Sequence, residues 1–265
     1  MPLPGRLAGA GDALVVQCPG RTSLSPGPSA GTSAAVAVAM LGALAAARRE
    51  ELSRHDVAYA AHRLEVEVLG VESGIQDQLS AAFGGINYIE IEPYPEATVH
   101  ALPAWEELAP RLTLLFLGRA HNSSEVHRRV IENVRRRGSG SFSPLREAAI
   151  AARDAVLARD LDAFGQALIA NTEAQKGLHP ELVGVDASRA IEVATAQGAL
   201  GWKVNGAGGE GGSVTILSAT PEAKEAVEHR VASLDPSYRV LPIQISMDGL
   251  QVKGAIPESS RDRRA

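Results

Sequence analysis

The chain has 265 residues and a formal net charge of -5, with 45% hydrophobic, 22% charged and 4% aromatic residues. This length allows one large domain or two small ones, and the lack of a basic stripe interleaved with aromatic residues argues against nucleic-acid binding. The single cysteine, Cys18, excludes an internal disulfide and a multi-cysteine metal site, and without an 18-residue apolar run we expect a soluble, cytoplasmic protein that does not bind membranes.

The regular part of the chain begins after a segment with little pattern. Residues 1–31 are rich in Gly, Pro, Ser and Ala and show no sustained periodicity, whereas Thr32 to Ala47 predicts a helix of small and apolar residues. Ser53 and Asp56 have the spacing of a capping box, which predicts a second helix that ends at Gly70.

A short helix and a strand complete the predicted N-terminal half. The helix runs from about Asp77 to Phe83, and alternation from Asn87 to Glu92 predicts a strand that Pro93 ends. We interpret Pro93 to Pro110 as a boundary between domains. The N-terminal domain is therefore expected over residues 1–105, the C-terminal domain over 106–254, and a disordered tail over 255–265.

Helices and strands alternate in the C-terminal half. Strands are expected over residues 112–117, 202–205, 213–218 and 239–246, with a short one over 250–253. Helix starts are expected at Asn122 or Ser123, Ser143, Asp160, Asp186 and Thr220. With strands on both sides of the expected boundary, the chain is predicted to be an α+β protein.

The start of the first helix is a candidate phosphate-binding loop. Residues 25–35 read Ser-Pro-Gly-Pro-Ser-Ala-Gly-Thr-Ser-Ala-Ala. A helix N-terminus attracts anions, and Gly27 and Gly31 allow close approach of the backbone, while the hydroxyl of Thr32 or Ser33 is a suitable Mg²⁺ ligand. The alternative is a loop that only caps an ordinary helix, and the segment is not a Walker A motif because no Gly-Lys-Ser/Thr follows.

Two acidic residues have the types that phosphoryl transfer requires. Glu65 lies near the end of the second helix, and Asp77 follows a Ser-Gly turn that can bring its carboxylate back toward this helix. Glu65 would then serve the metal, and Asp77 would accept a proton from a hydroxyl. The alternatives are a solvated helix glutamate like Glu67 and an aspartate that caps a helix.

A second glycine-rich segment, Gly206–Gly212, lies between two predicted strands. Its glycines indicate either a flexible hairpin or a backbone that passes tightly against another group. This segment does not open a βαβ unit. A dinucleotide-binding oxidoreductase built on it is therefore the least favoured of the three functions that we consider.

Together, these segments resemble the GHMP kinase superfamily, named for galactokinase, homoserine kinase, mevalonate kinase and phosphomevalonate kinase. Residues 25–35 are similar to the family's phosphate loop, residues 65–78 to its Glu…Ser-Gly-Ile-x-Asp-Gln segment, and residues 203–212 to its Lys-x-Ser-Gly-Ala-Gly-Gly-Gly-Gly motif. Residues 81–87 and 171–180 are most similar to the sugar kinase branch, especially D-glycero-D-manno-heptose 7-phosphate kinases.

The resemblance implies a two-domain fold with a ferredoxin-like C-terminal domain, and ATP-dependent phosphorylation of a sugar or sugar phosphate. It implies Asp77 as the base and Glu65 as a Mg²⁺ ligand together with Thr32 or Ser33. It also implies an ATP site made of the helix start and the second loop, with residues Gly27, Gly31, Thr32, Ser33, Gly206, Ala207, Gly208 and Gly209. The resemblance also implies a role in binding the substrate for Arg119, His121, Ser123 and Ser124. The alternative for these residues is a helix cap with a basic surface.

The sequence departs from the family pattern in two places. Pro28, Ser29 and Ala30 replace residues of the family's loop, and the N-terminal segment with a first family motif is not recognisable before it. We therefore expect an incomplete N-terminal domain, and the alternative function is a catalytically inactive GHMP-fold protein that only binds.

Overall fold

The computed structural model describes residues 31–71, 73–119, 129–134, 138–206 and 208–252. The predictions for Gly27, Ala207, His121, Ser123 and Ser124, and for the tail from residue 255, concern positions outside these residues. Helices and antiparallel strands alternate, so the predicted α+β class is confirmed. Within the described ranges, no helix is both long enough and apolar enough to cross a bilayer.

The N-terminal half packs three helices against a hairpin. The helices are α1 (Thr32–Ala47), α2 (Arg54–Arg63) and α3 (Gln76–Phe83), and the two-stranded sheet pairs β1 (Ile86–Ile91) with β2 (Ala97–Leu102). Small and β-branched side chains at the helix contacts form the core of this half: Ala37, Val38, Val57, Ala58, Ala61, Ile75, Leu79 and Ala82.

The second helix begins and ends as its sequence dictates. The Ser53 hydroxyl accepts from Asp56 N, and the Asp56 carboxylate accepts from Ser53 N, which is the predicted capping box. A π-helical turn, Leu64–Val68, then continues α2. In this turn Glu65 is buried and Glu67 is exposed, so the solvated alternative applies to Glu67 and not to Glu65.

The C-terminal half is built on a four-stranded antiparallel sheet with the order β4-β5-β3-β6. In chain order its elements are β3 (Leu112–Phe116), α4 (Ser143–Ala158), α5 (Leu161–Leu178), α6 (Val185–Ala196), β4 (Ala199–Val204), β5 (Ser213–Ser218), α7 (Pro221–Ala232) and β6 (Arg239–Leu241). If β3 is counted as the first strand of this half, the first strand lies between the third strand, β5, and the fourth strand, β6. This is the ferredoxin-like strand order that we expected.

The two faces of this sheet have different neighbours. Leu115, Val214 and Ile216 face α6 and α7 in a buried apolar cluster. On the other face, Leu217 packs with Val156 of α4 and Leu168 of α5. The strand register sets Lys203 opposite Thr215, and Thr215 opposite Leu114, so these three side chains form a row on this second face.

The Pro93–Pro110 segment contains β2, a strand that the sequence analysis did not predict, because a further alternating stretch pairs with β1. The following expectations on other elements were wrong. The N-cap of α6 is Gly184, and Asp186 lies in its first turn. The last strand ends at Leu241, because only Arg239 to Leu241 pair with β3, and residues 250–252 do not form a strand.

The two halves share buried contacts. Trp105 and Leu108, which flank the expected domain boundary, pack in the same cluster as Leu217. After β6 the chain returns to the N-terminal half, where Leu250 N donates to Ala82 O at 2.9 Å. The division at residues 105 and 106 remains a prediction, but these contacts hold the two halves together around the cavity described next.

Candidate active site

A cavity of about 410 Å³ lies where the start of α1 and the start of α3 meet the second face of the sheet. Its lining combines one carboxylate, one ammonium group, neutral polar groups and apolar strand residues: Gly31, Asp77, Leu112, Leu114, Lys203, Asn205, Gly206, Thr215 and Ile243. The cavity therefore brings together one residue or more from each of the three motifs identified in the sequence.

Asp77 lies beside the N-terminus of α1. It is the second residue of α3, whose N-cap is Ile75, so the capping role considered for Asp77 is wrong. A methyl group added at Gly31 would lie 3.4 Å from Asp77 Oδ2. Burial raises the pKa of the Asp77 carboxyl, the charge of Glu65 raises it further, and the charge of Lys203 opposes both effects.

Lys203 is the charged residue of the cavity to which sequence reasoning gave no role. It lies in β4, and its Nζ donates to the Val204 carbonyl at 3.0 Å. Burial lowers the pKa of the Lys203 ammonium, and the nearby Asp77 carboxylate acts in the opposite direction. The sequence signal that could have identified Lys203 is its position at the start of the Lys-Val-Asn-Gly segment, directly before the glycine-rich segment.

Glu65 is held in place by Gln78, the residue that follows Asp77. Gln78 is fully buried, and its Nε2 donates to Glu65 Oε2 at 2.6 Å and to Ser73 Oγ at 3.3 Å. Gln78 directly follows Asp77 in α3, so its bond to Glu65 places the Glu65 carboxylate next to the first turn of the helix that carries Asp77. The structure thus brings the predicted acidic pair together.

The residues predicted to bind Mg²⁺ offer oxygen atoms, which are the ligands that Mg²⁺ prefers. Thr32 and Ser33 lie exposed in the first turn of α1, next to Gly31, and Glu65 supplies a buried carboxylate. Among the described residues, no group of three or more His, Cys, Asp or Glu side chains is close enough to hold a metal. That is compatible with Mg²⁺, which is commonly bound through one or two protein oxygens plus substrate phosphates and water.

The second glycine-rich segment touches the cavity at its first residue. Gly206 lines the cavity, and its carbonyl accepts from Gln175 Nε2 at 3.0 Å. Gly208 and Gly209 are buried, and a methyl group added at Gly208 would lie 1.7 Å from Leu182 O. The described glycines after Gly206 thus pack tightly against protein backbone, which is the second alternative considered for this segment.

Arg119 does not line the cavity. Its guanidinium lies 2.5 Å from Asp186 Oδ2 and 3.7 Å from Glu210 Oε2, and its carbonyl accepts from Gly212 N at 2.9 Å. Arg119 therefore contacts the far end of the glycine-rich segment rather than Asp77.

The sequence is similar to known kinases. The family profile "GHMP kinases N terminal domain" matches residues 21–85. The chain is 30% identical over 241 residues to a mevalonate kinase from Pyrococcus furiosus, covering 87% of this chain and 66% of that protein. It is 25% identical over 190 residues to a D-glycero-alpha-D-manno-heptose 7-phosphate kinase from Campylobacter jejuni, covering 70% of this chain and 56% of that protein. The chain thus spans just under two thirds of the first relative and less of the second.

Solved structures share its fold. A D-glycero-D-manno-heptose 1-phosphate kinase from Bacteroides thetaiotaomicron aligns with a TM-score of 0.65 at 24% identity, over 87% of this chain and 66% of that one. A mevalonate kinase from L. major, in complex with R-mevalonate, aligns with a TM-score of 0.62 at 20% identity, over 80% of this chain and 66% of that one. At these identities the likeness concerns the fold, and the predicted GHMP kinase-like fold is confirmed.

Proposed function

We propose that this chain transfers the γ-phosphoryl group of ATP to a hydroxyl group of a sugar or sugar phosphate. The match of residues 21–85 to the GHMP kinase N-terminal domain and the likeness to the fold of known kinases support this proposal. One observation carries the proposal. The Asp77 carboxylate lies at the start of α1 in a cavity that Lys203 also lines. This arrangement combines a base with a site for anions, which are the two requirements of the reaction.

Asp77 acts as the general base in this proposal. The acceptor hydroxyl gives its proton to the Asp77 carboxylate as its oxygen attacks the γ-phosphorus, and ADP leaves with the electron pair of the broken P–O bond. A raised pKa suits this role, because a base is most effective when its pKa approaches the working pH. Nearby Lys203 favours the ionised form of Asp77, which is the form that accepts the proton.

The ATP phosphates are proposed to lie at the N-terminus of α1. The unpaired N–H groups and the partial positive charge of the helix start favour them, and Gly31 adds no side chain there. Thr32 or Ser33 and Glu65 would hold Mg²⁺, which supplies neutralisation of the phosphate charge when bound. Gly206 borders the same cavity.

Mevalonate is the second candidate acceptor. The P. furiosus relative, at 30% identity, is a mevalonate kinase, whereas the C. jejuni relative, at 25%, is a heptose phosphate kinase. Residues 81–87 and 171–180 favour the sugar branch. An ADP-release screen with heptose 7-phosphate, fucose, galactose, glucuronate and mevalonate separates the two candidates.

The base assignment is tested with Asp77→Asn. We expect turnover to fall about 10²–10⁴-fold, because the proton acceptor is lost, while ATP binding measured by calorimetry remains. Asp154→Asn, at an exposed position in α4, removes the same charge and should retain full activity. Full activity of Asp77→Asn would refute the assignment. ATP binding by the wild-type chain without ADP release from any acceptor would favour the inactive binding protein.

The magnesium assignment is tested with Glu65→Gln and Glu67→Gln. The two residues lie in the same π-helical turn, but only Glu65 is buried beside Gln78. We expect Glu65→Gln to raise the Mg²⁺ concentration required for half-maximal activity and Glu67→Gln to leave it unchanged. Equal magnesium titrations for both variants would exclude Glu65 as the ligand.

A further inference from the structure

We propose that Lys203 is the anion-binding residue of this cavity, positioned by Thr172 and Gln175 of α5, and that it pairs with a phosphate or carboxylate oxygen of a bound reactant. The identity of the reactants rests on the proposed function. The location of Lys203 and its contacts with α5 do not depend on that function.

Lys203 has donor capacity left for a ligand. Its bond to the Val204 carbonyl uses one of the three N–H groups of the ammonium. Asn205 and Thr215, the polar neighbours in the cavity, already have protein partners, since Asn205 Nδ2 donates to Thr215 Oγ1 and to Ser213 Oγ, each at 3.0 Å. Among the described lining residues, Lys203 is therefore the cationic donor available to an anion.

The backbone on both sides of Lys203 is fixed to α5. The buried hydroxyl of Thr172 lies 3.2 Å from the Trp202 carbonyl and accepts from Val204 N at 3.4 Å. Gln175 Nε2 holds the Gly206 carbonyl at 3.0 Å. These contacts precede and follow Lys203 along the chain, so α5 fixes the backbone from which the Lys203 side chain enters the cavity.

Burial gives this ammonium group a reason to bind an anion. Removing a charged group from water is unfavourable unless it is paired. Asp77 compensates Lys203 in part, but Asp77 is itself desolvated and is also repelled by Glu65. A phosphate or carboxylate oxygen that enters the cavity would complete the pairing of Lys203.

The test compares Lys203→Met with Lys176→Met, which removes the same charge from an exposed position on α5. Calorimetry measures ATP and inorganic pyrophosphate binding, and ADP release measures the KM of the best acceptor. Losing a hydrogen bond between charged groups should weaken the affected ligand about 10–100-fold. Weaker ATP and pyrophosphate binding identifies the nucleotide phosphates as the partner, and a raised acceptor KM alone identifies the anionic group of the acceptor. Lys176→Met should change neither.

The role of α5 is tested with Thr172→Val and Thr172→Ser. Valine removes the hydroxyl that contacts β4, and serine keeps it, so Val should weaken the same ligand several-fold and Ser should restore binding. Thr195→Val loses a similar bond within α6, to Ile191 O, and should leave binding unchanged. Equal binding by Thr172→Val and the wild type would overturn the positioning role.

The possible failures can be told apart. Unchanged ATP binding, pyrophosphate binding and acceptor KM in folded Lys203→Met would overturn this inference while leaving kinase activity intact. Binding that depends on Lys203 without turnover in the wild type would contradict the proposed function and support this inference. If Lys203→Met does not fold, Lys203→Gln replaces it in the same measurements.

Discussion

The two glycine-bearing segments of the cavity use glycine for different purposes. At the start of α1, Gly31 lies against a functional side chain, with Asp77 Oδ2 3.4 Å from the position of an added methyl group. In the second segment, Gly208 lies against backbone, and the added methyl group would be 1.7 Å from Leu182 O. The first glycine lines the cavity beside Asp77, whereas the second allows two parts of the fold to touch.

This difference shows that glycine richness alone does not identify a phosphate site. Both segments were predicted to hold ATP phosphates, yet in the second only Gly206, among the described predicted residues, lines the cavity. The ammonium group in the cavity comes from Lys203, which precedes these glycines in the sequence. Substitutions at the two kinds of glycine should therefore separate stability from activity.

The largest effect is expected for Gly208→Ala. The added methyl group would overlap Leu182 O, and the residue has φ +60°, so the backbone must move. We expect a loss of about 4 kcal/mol or more in the free energy of unfolding, measured by urea denaturation. Gly198→Ala is the control, because Gly198 also has positive φ but no atom within 4 Å of the added methyl group, and should cost about 1–2 kcal/mol. Equal losses would contradict the packing role of Gly208.

A smaller loss of stability is expected for Gly31→Ala, with a separate loss of activity. Gly31 and Gly70 both have φ +66°, so alanine at either position should cost about 1–2 kcal/mol. Only Gly31 borders Asp77, since nothing lies within 4 Å of a methyl group at Gly70. We expect kcat/KM for ATP to fall for Gly31→Ala alone. Similar kinetics for the two variants would remove Gly31 from the nucleotide site.

The smallest effect is expected to be a gain in stability for Asp77→Asn. The folded-state pKa of Asp77 is raised, so its contribution to stability is complete below the unfolded-state pKa and is lost as pH rises through the folded-state pKa. The variant should therefore have a higher Tm than the wild type at neutral pH, and the difference should vanish in acid. Tm measured against pH checks this, with Asp154→Asn as the control for lost charge. A lower Tm for Asp77→Asn at neutral pH would contradict it.

The helices were largely predictable because their signals are local. The capping box at Ser53, the N-cap at Asp160 and the N-cap at Thr220 each bond to a backbone N–H three residues later. Strand β2 was missed because prolines surround it and its pairing with β1 is a longer-range property. The π-helical turn at Leu64–Val68 has no period that single-sequence reasoning detects, although it is where buried Glu65 lies.

The candidate site was predictable in its residues and not in its geometry. Motif spacing singled out Glu65 and Asp77, and the structure brings them together. Lys203 lies 126 positions after Asp77 by residue number, and no local pattern indicates that the two share a cavity. The hydrogen bonds from Thr172 to β4 and from Gln175 to Gly206 likewise depend on how α5 packs on the sheet.

The packing of Gly208 and Gly209 under Leu182 also bears on the timing of a catalytic cycle. Many enzymes are limited by the opening of a mobile loop that releases product. A segment whose glycines are buried against backbone is unsuited to such a motion, because opening it would break its contacts with Leu182 and Gly184. If turnover of this protein slows in viscous solvent, the motion responsible should therefore be sought in another part of the chain.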